Sequence, residues 1–173
     1  MIFEIDVSGS DILNKDTVIM VAERNNENIM LGFKMTKEIR DTILSRHGQG
    51  KYKYQKSNKG KADLKTRVYC AAIYLIFKEL KRRHNIKEVS LEICRDLSGR
   101  EKQIKEMLKQ LLGTKNSKRG LGLNITGIHF TELIKGKSLA DEYAYFLRRD
   151  RVNKLTNISC KIDLEDIESF LKH

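Results

Sequence analysis

Cysteine is too scarce and too scattered in this chain for either of its usual structural uses. Cys70, Cys94 and Cys160 are odd in number, and none stands in a Cys-x-x-Cys pair. That argues against a disulfide framework and a clustered zinc site, and reads as reduced thiols of an intracellular, cytoplasmic protein. The four histidines, His47, His84, His129 and His173, are equally dispersed, so they add no zinc cluster. Proline is absent, and nothing in the sequence accounts for that. Long apolar runs are missing too: Val68 to Phe77 is about half of the ~20 residues that a membrane span needs. It reads as a buried helix, and a membrane is not expected as a partner. Met1-Ile2-Phe3 runs straight into Glu4 and Asp6, unlike a secretory signal. No Walker motif or nucleophile elbow occurs. Gly120-Leu121-Gly122-Leu123 precedes a strand rather than opening a helix, so it is not a dinucleotide loop. Cys70 falls within the apolar helix and reads as core rather than nucleophile.

What the chain does have is positive charge. Lys and Arg number 34 against 23 Asp and Glu, a net charge of +11 over 173 residues. Such an excess points to a polyanionic partner, nucleic acid above all. The length suits one domain with a real hydrophobic core. With 40% hydrophobic and 33% charged residues, the composition is that of a globular protein.

The periodicity alternates between strand and helix. Phe3, Ile5 and Val7 point one way and Ile2, Glu4 and Asp6 the other, which marks residues 1–7 as a strand. Thr17–Glu23 and Ile29–Met35 are two more β-rich runs, joined by the polar turn Arg24–Asn28 into a hairpin. Thr36–Ser45 reads as a short helix, Arg46–Ala62 as a loop and Asp63–His84 as a long helix. Lys87–Cys94 is a fourth strand. Ser98 and Glu101 have capping-box spacing ahead of an apolar helical face ending at Gly113. Leu123–Phe130 is a fifth strand, Ser138–Arg149 a helix, and Asp163 caps a final short helix with Ile162 and Ile167 as a hydrophobic staple. The division expected is a main domain over 1–150 and a C-terminal extension over 151–173, packed on the same domain.

Strand 3 of such a meander runs parallel to strand 1, as do helix-linked strands 4 and 5. Their carboxyl ends then share one sheet edge, where ligands of α/β sheets bind. Asp6, Asp96 and Asp141 all fall at that edge. Clustered carboxylates stay ionised best around a cation, and Mg²⁺ or Mn²⁺ is held by a few carboxylates with water and substrate phosphate. Each residue also has an ordinary structural role open to it. Asp141 stands three after Ser138 and could complete a capping box, and Asp96 could be a loop aspartate beside Arg95 and Arg100. Asp6 is harder to explain so, because a carboxylate in an apolar central strand is costly unless paired or metal-bound. Glu4 shares its face and could be a partner. Asp63, opening the long helix at that edge, is the fourth ligand preferred over Glu79, which lies ~24 Å along the helix. Glu38, Asp41 and Glu132 remain open.

Ile5-Asp6-Val7-Ser8-Gly9, the strand end Cys94-Arg95-Asp96, and Leu139-Ala140-Asp141-Glu142-Tyr143-Ala144 resemble the ribonuclease H-like superfamily of nucleases, resolvases and transposases. The likeness is greatest to an uncharacterised family that opens Asp-Glu-Ser-Gly and carries an Ala-Asp helix motif. It spans about residues 1–150 in element order. It implies an α/β fold with a five-stranded mixed sheet, antiparallel over 1-2-3 and parallel over 1-4-5, flanked by helices. By position it implies metal-binding roles for Asp6, Asp96 and Asp141. The chain departs from that family in having Val7 where the family has Glu.

Arg46 to Arg67 holds eight basic residues and one acid, Asp63. Lys51, Lys53, Lys56, Lys59 and Lys61 could neutralise phosphates, while Tyr52 and Tyr54 could stack on unpaired bases. The alternative is a flexible solvated loop. Lys115, Lys118 and Arg119 form a second basic loop, expected at the opposite edge. The reading is a metal-dependent nuclease or resolvase-like phosphodiesterase using Mg²⁺ or Mn²⁺ on DNA or RNA. The rivals are a non-catalytic nucleic-acid-binding protein of the same fold and an assembly subunit. A homodimer is left open.

Overall fold

The computed structural model describes residues 1–9, 11–95, 99–113, 119–152 and 154–172. Alternating side chains build strands β1 (Ile2–Ser8), β2 (Thr17–Glu23) and β3 (Met30–Met35) into an antiparallel meander. Helices α1 (Lys37–Gly48) and α2 (Asn58–His84) lead to β4 (Glu88–Cys94), which pairs parallel with β1. Helix α3 (Glu101–Leu108) continues as a π-helical turn over Lys109–Gly113 and crosses to β5 (Asn124–Thr131), parallel to β4. Helices α4 (Leu139–Arg149) and α5 (Leu164–Glu168) follow. The strand order is β3-β2-β1-β4-β5. This is the five-stranded mixed sheet expected, antiparallel over β1-β2-β3 and parallel over β1-β4-β5, flanked by helices. Among the described residues no helix is long and apolar enough to cross a membrane.

The two faces of the sheet are packed unequally. Phe3, Ile5 and Val7 of β1, with Ile19 and Val21 of β2, join the main core beneath α2. There Phe3 and Phe77 meet edge to face at 5.2 Å. The opposite faces of the strands carry Val18, Met20 and Ala22, which form a smaller cluster with Ala140, Ala144 and Leu147 of α4. Those three positions of α4 lie four and three apart and make one helical stripe. Gly32 lets α4 come this close: a Cβ there would sit 2.6 Å from Met20 Cε and 2.7 Å from a Leu147 methyl.

Several boundaries differ from expectation. Helix α2 begins at Asn58 rather than Asp63, with the Ser57 hydroxyl accepting from the Gly60 N–H. The connection from α1 to α2 is therefore shorter than Arg46–Ala62, and Lys59 and Lys61 are helical. Helix α3 starts at Glu101 with Arg100 at its N-cap and no capping side chain, while Ser98 lies outside the described residues. Residues 159–171 run back over the sheet and α2. The Cys160 N–H donates to Gly32 O at 2.6 Å, and Ile162, Ile167, Phe170 and Leu171 enter the main core. Asp163 caps the last helix as expected, and does so in a reciprocal capping box with Asp166.

Candidate active site and its surroundings

Register decides where the carboxylates of β1 point. Glu4 stands opposite Ala22 and Asp6 opposite Met20; partners in a ladder share a face, so both carboxylates face α4. Glu4 and Asp6 are among the few buried charged residues of the described chain. Glu4 is held by Arg24, whose guanidinium lies 4.0 Å away and also pairs with Glu92 of β4. Burial raises the Glu4 pKa, opposed by Arg24 and by a hydrogen bond with Ser138. Asp6 lies one turn of the pleat nearer the carboxyl end of β1. There it lines an open cleft of about 630 Å³ with Ser8, Gly9, Lys135, Asp141 and Glu142.

Asp141 reaches the same cleft from the first turn of α4. The Ser138 hydroxyl accepts from its backbone N–H at 3.2 Å, which caps the helix and leaves the carboxylate free of that task. Gly9 closes the strand end at φ +111, a conformation that side chains avoid, and a Cβ there would sit 2.3 Å from Asp16 O. The rim is aromatic. Tyr145 and Phe146 line the cleft and are 49% and 45% exposed, with the Arg149 guanidinium 4.2 Å from the Tyr145 ring centre. Lys135, Tyr145 and Phe146 were not singled out from sequence. The signal was available: Tyr145 and Phe146 fall off the Ala140–Ala144–Leu147 stripe and have no core position to occupy.

The other candidates are placed elsewhere. Asp96 lies outside the described residues. Asp63 is on α2, across the sheet from Asp6 and Asp141. The Arg100 guanidinium pairs with it and holds its pKa down, so this carboxylate is not left open for a cation. Glu79 pairs with Arg82 and Arg83, whose hydrogen bonds hold it at about 2. Asp41 pairs with Lys37, Glu38 is exposed on α1, and Glu132 lines a separate cleft with Glu4, Arg24 and Glu92. Val7, where the resembling family has Glu, is buried in the main core, away from Asp6.

The donors that line this cleft, Asp6, Asp141, Glu142 and the Ser8 hydroxyl, are hard oxygens. That is the ligand chemistry of Mg²⁺ and Mn²⁺, which commonly take one or two carboxylates and complete their shell with water and phosphate. Among the described residues no three His, Cys, Asp or Glu side chains gather closely enough to hold a metal by themselves.

The basic stretch is pinned rather than free. His47 Nε2 is 2.9 Å from Gln55 O, and the Tyr52 hydroxyl donates to Glu168 Oε1 at 2.6 Å. Arg46 pairs with the same Glu168. Burial and that hydrogen bond push the Tyr52 pKa up. Tyr52 is thus a core residue with no ring face to offer a base, and Tyr54 is partly buried against the core. Lys51, Lys53, Lys56, Lys59 and Lys61 are exposed, and none makes a salt bridge among the described residues. Cys70 is fully buried and its thiol is pushed up to about 12, consistent with a core role.

No protein-family model matches the chain, and no curated protein sequence matches it. Among solved structures the chain is similar to the catalytic core domain of BIV integrase. The identity is 13% and the TM-score 0.38, over 98% of this chain and 78% of that one.

Proposed function

We propose that the protein is a divalent-metal-dependent phosphodiesterase acting on nucleic acid. One observation carries the reading: Asp6, a buried carboxylate on the central strand, opens into the same cleft as Asp141. A cation shared between Asp6 and Asp141 would stabilise both carboxylates in their ionised form. Asp6 and Asp141 would hold Mg²⁺ or Mn²⁺, with Asp96, two residues beyond β4, as a third ligand. Such an ion, when bound, polarises a phosphodiester and lowers the pKa of a coordinated water. Lys135 is placed to bind a phosphate oxygen at the cleft. Tyr145 and Phe146 present ring faces on which bases can stack. Ser138 is a positioning residue: by capping α4 it fixes the turn that carries Asp141.

The test is cleavage of single strands, duplexes, hybrids and four-way junctions by the parent and by Asp6→Asn. The variant keeps size and hydrogen-bonding capacity but loses the charge. It should fold, bind nucleic acid as the parent does, and lose Mg²⁺-dependent cleavage. Parent cleavage that persists in excess chelator, or equal cleavage by both proteins, rejects the metal mechanism. Val7 supports one rival, a non-catalytic nucleic-acid-binding protein, because the acid of the resembling family is replaced there by a core side chain. That rival predicts undiminished binding with no cleavage and no Mg²⁺ or Mn²⁺ uptake by the parent.

A further inference from the structure

Arg119, from the second basic loop, and Arg67 of α2 both reach the C-terminal segment. The Lys53 N–H donates to Leu171 O at 3.4 Å, Arg67 Nε donates to Phe170 O at 3.2 Å, and Arg119 donates to Ser169 O. The two guanidinium carbons lie 5.4 and 4.4 Å from the centre of the Phe170 ring. That ring is buried and braced by Tyr74 at 5.3 Å. Two guanidiniums from distant parts of the chain therefore converge on Ser169 and Phe170, while the Lys53 backbone is tied to the next residue and its ammonium lies over the Tyr54 ring, 5.5 Å from its centre.

Among the described residues neither Arg67, Arg119 nor Lys53 forms a salt bridge. Glu168, one residue before Ser169, is occupied by Arg46, Tyr52 and Lys172. Each arginine donates one hydrogen bond to a carbonyl and stacks on the ring, which leaves most of its five donors unused. A guanidinium fixed this way loses little freedom when it grips an oxyanion. The mutual repulsion is felt by Lys53, whose pKa is lowered first by burial and then by Arg67 and Arg119.

We propose that Lys53, Arg67 and Arg119 form a phosphate-binding site for the backbone of a nucleic acid, apart from the carboxylate cleft. Preorganised guanidiniums that repel one another gain most from an anion placed between them. The exposed Lys51 and Lys56 of the adjoining loop extend the positive surface along which a strand would run. No metal enters the site, so it does not depend on the catalytic reading.

The experiment compares the parent, Lys53→Gln/Arg119→Gln and the control Lys172→Gln. Arg67 stays in place because it braces Phe170. Binding of a fluorescent single strand and a duplex is measured in chelator from 50 to 200 mM salt, with calorimetric titration of inorganic phosphate alongside. The double variant should bind more weakly, and its log–log salt slope should fall by about one for each cation removed. The control, whose lysine already pairs with Glu168, should keep the parent slope. An unchanged slope in the double variant overturns the proposal, as does an equal drop in the control. Lost phosphate binding with an unchanged nucleic-acid slope also overturns it, and would make the site one for free phosphate. Thermal unfolding of all three proteins must coincide; if the double variant melts early, Arg119→Lys replaces Arg119→Gln, keeping a charge but losing the fork, and must then weaken binding.

Discussion

The two faces of the sheet divide the labour of this molecule. Under α2, a helix of 27 residues, the strands present an unbroken apolar surface of Phe3, Ile5, Val7, Ile19 and Val21. Under α4, of 11 residues, the same strands present a small apolar cluster, then Glu4 and Asp6. One face can therefore hold the fold together while the other carries groups that cost stability. Glu4 is tolerable on β1 because Arg24 and Ser138 oppose the cost of its burial.

The sharpest way to break that comparison is to remove equal chemistry from each side. Phe77→Ala empties the main core and should cost about 3–5 kcal/mol. Leu147→Ala, on the α4 side, should cost about 2–3 kcal/mol, at the low end of its class because a short helix can settle onto Gly32. Urea unfolding of both variants measures the difference; equal losses would mean that the faces share the load.

Glu168→Gln tests the tail that locks the α2 side, with an expected loss of about 1–3 kcal/mol at pH 7. Burial alone would raise the Glu168 pKa, but hydrogen bonds from Tyr52 and Arg46 together outweigh it and hold it low. A carboxyl whose folded pKa lies below its unfolded value contributes stability above that unfolded value, about 4.3. The contribution disappears as pH falls through the folded value. The gap between parent and variant should therefore narrow below about pH 4. A gap that stays constant into acid would show that packing, not the charge, is what Glu168 supplies.

The smallest effect is expected at Ser138→Ala, about 1 kcal/mol for a lost N-cap. It sharpens the comparison by touching only the side that carries chemistry. On the proposed function, Mg²⁺-dependent cleavage should fall by more than that stability loss suggests, with Asn or Thr at this position restoring it. Loss of stability with unaltered cleavage would remove Ser138 from the positioning role.

Much of this architecture was legible because it is local. Strand β2 spans Thr17–Glu23 as its β-rich run indicates, and the edge shared by Asp6 and the helix of Asp141 follows from strand direction alone. What was illegible depends on distant partners. Tyr52 reads as a loop aromatic between lysines, yet its hydroxyl bonds Glu168, 116 residues away. Asp63 reads as an open carboxylate, and Arg100 claims it. The start of α2 was misread because its first turn, Asn58-Lys59-Gly60-Lys61, is polar and helical only by virtue of the Ser57 cap. Arg119 reads as one of three basic loop residues, and only the folded tail shows which ring and carbonyl it is drawn to.

The same tail sets an order of assembly. Arg46–Glu168, Tyr52–Glu168 and Arg67–Phe170 join residues 122, 116 and 103 apart, among the longest closures in the described chain. Contacts of such separation form late, because the loop must close before they give anything back. A nascent chain leaving the ribosome can pair β1, β2 and β3 and lay α2 across them. Its basic surface stays unfinished until residues 159–171 have been made. Until then Arg67 lacks the ring and carbonyl that hold it, so a partly synthesised molecule carries the charge of the finished one without its arrangement. At the proposed site, a preorganised grip on phosphate is thereby deferred until that segment has docked.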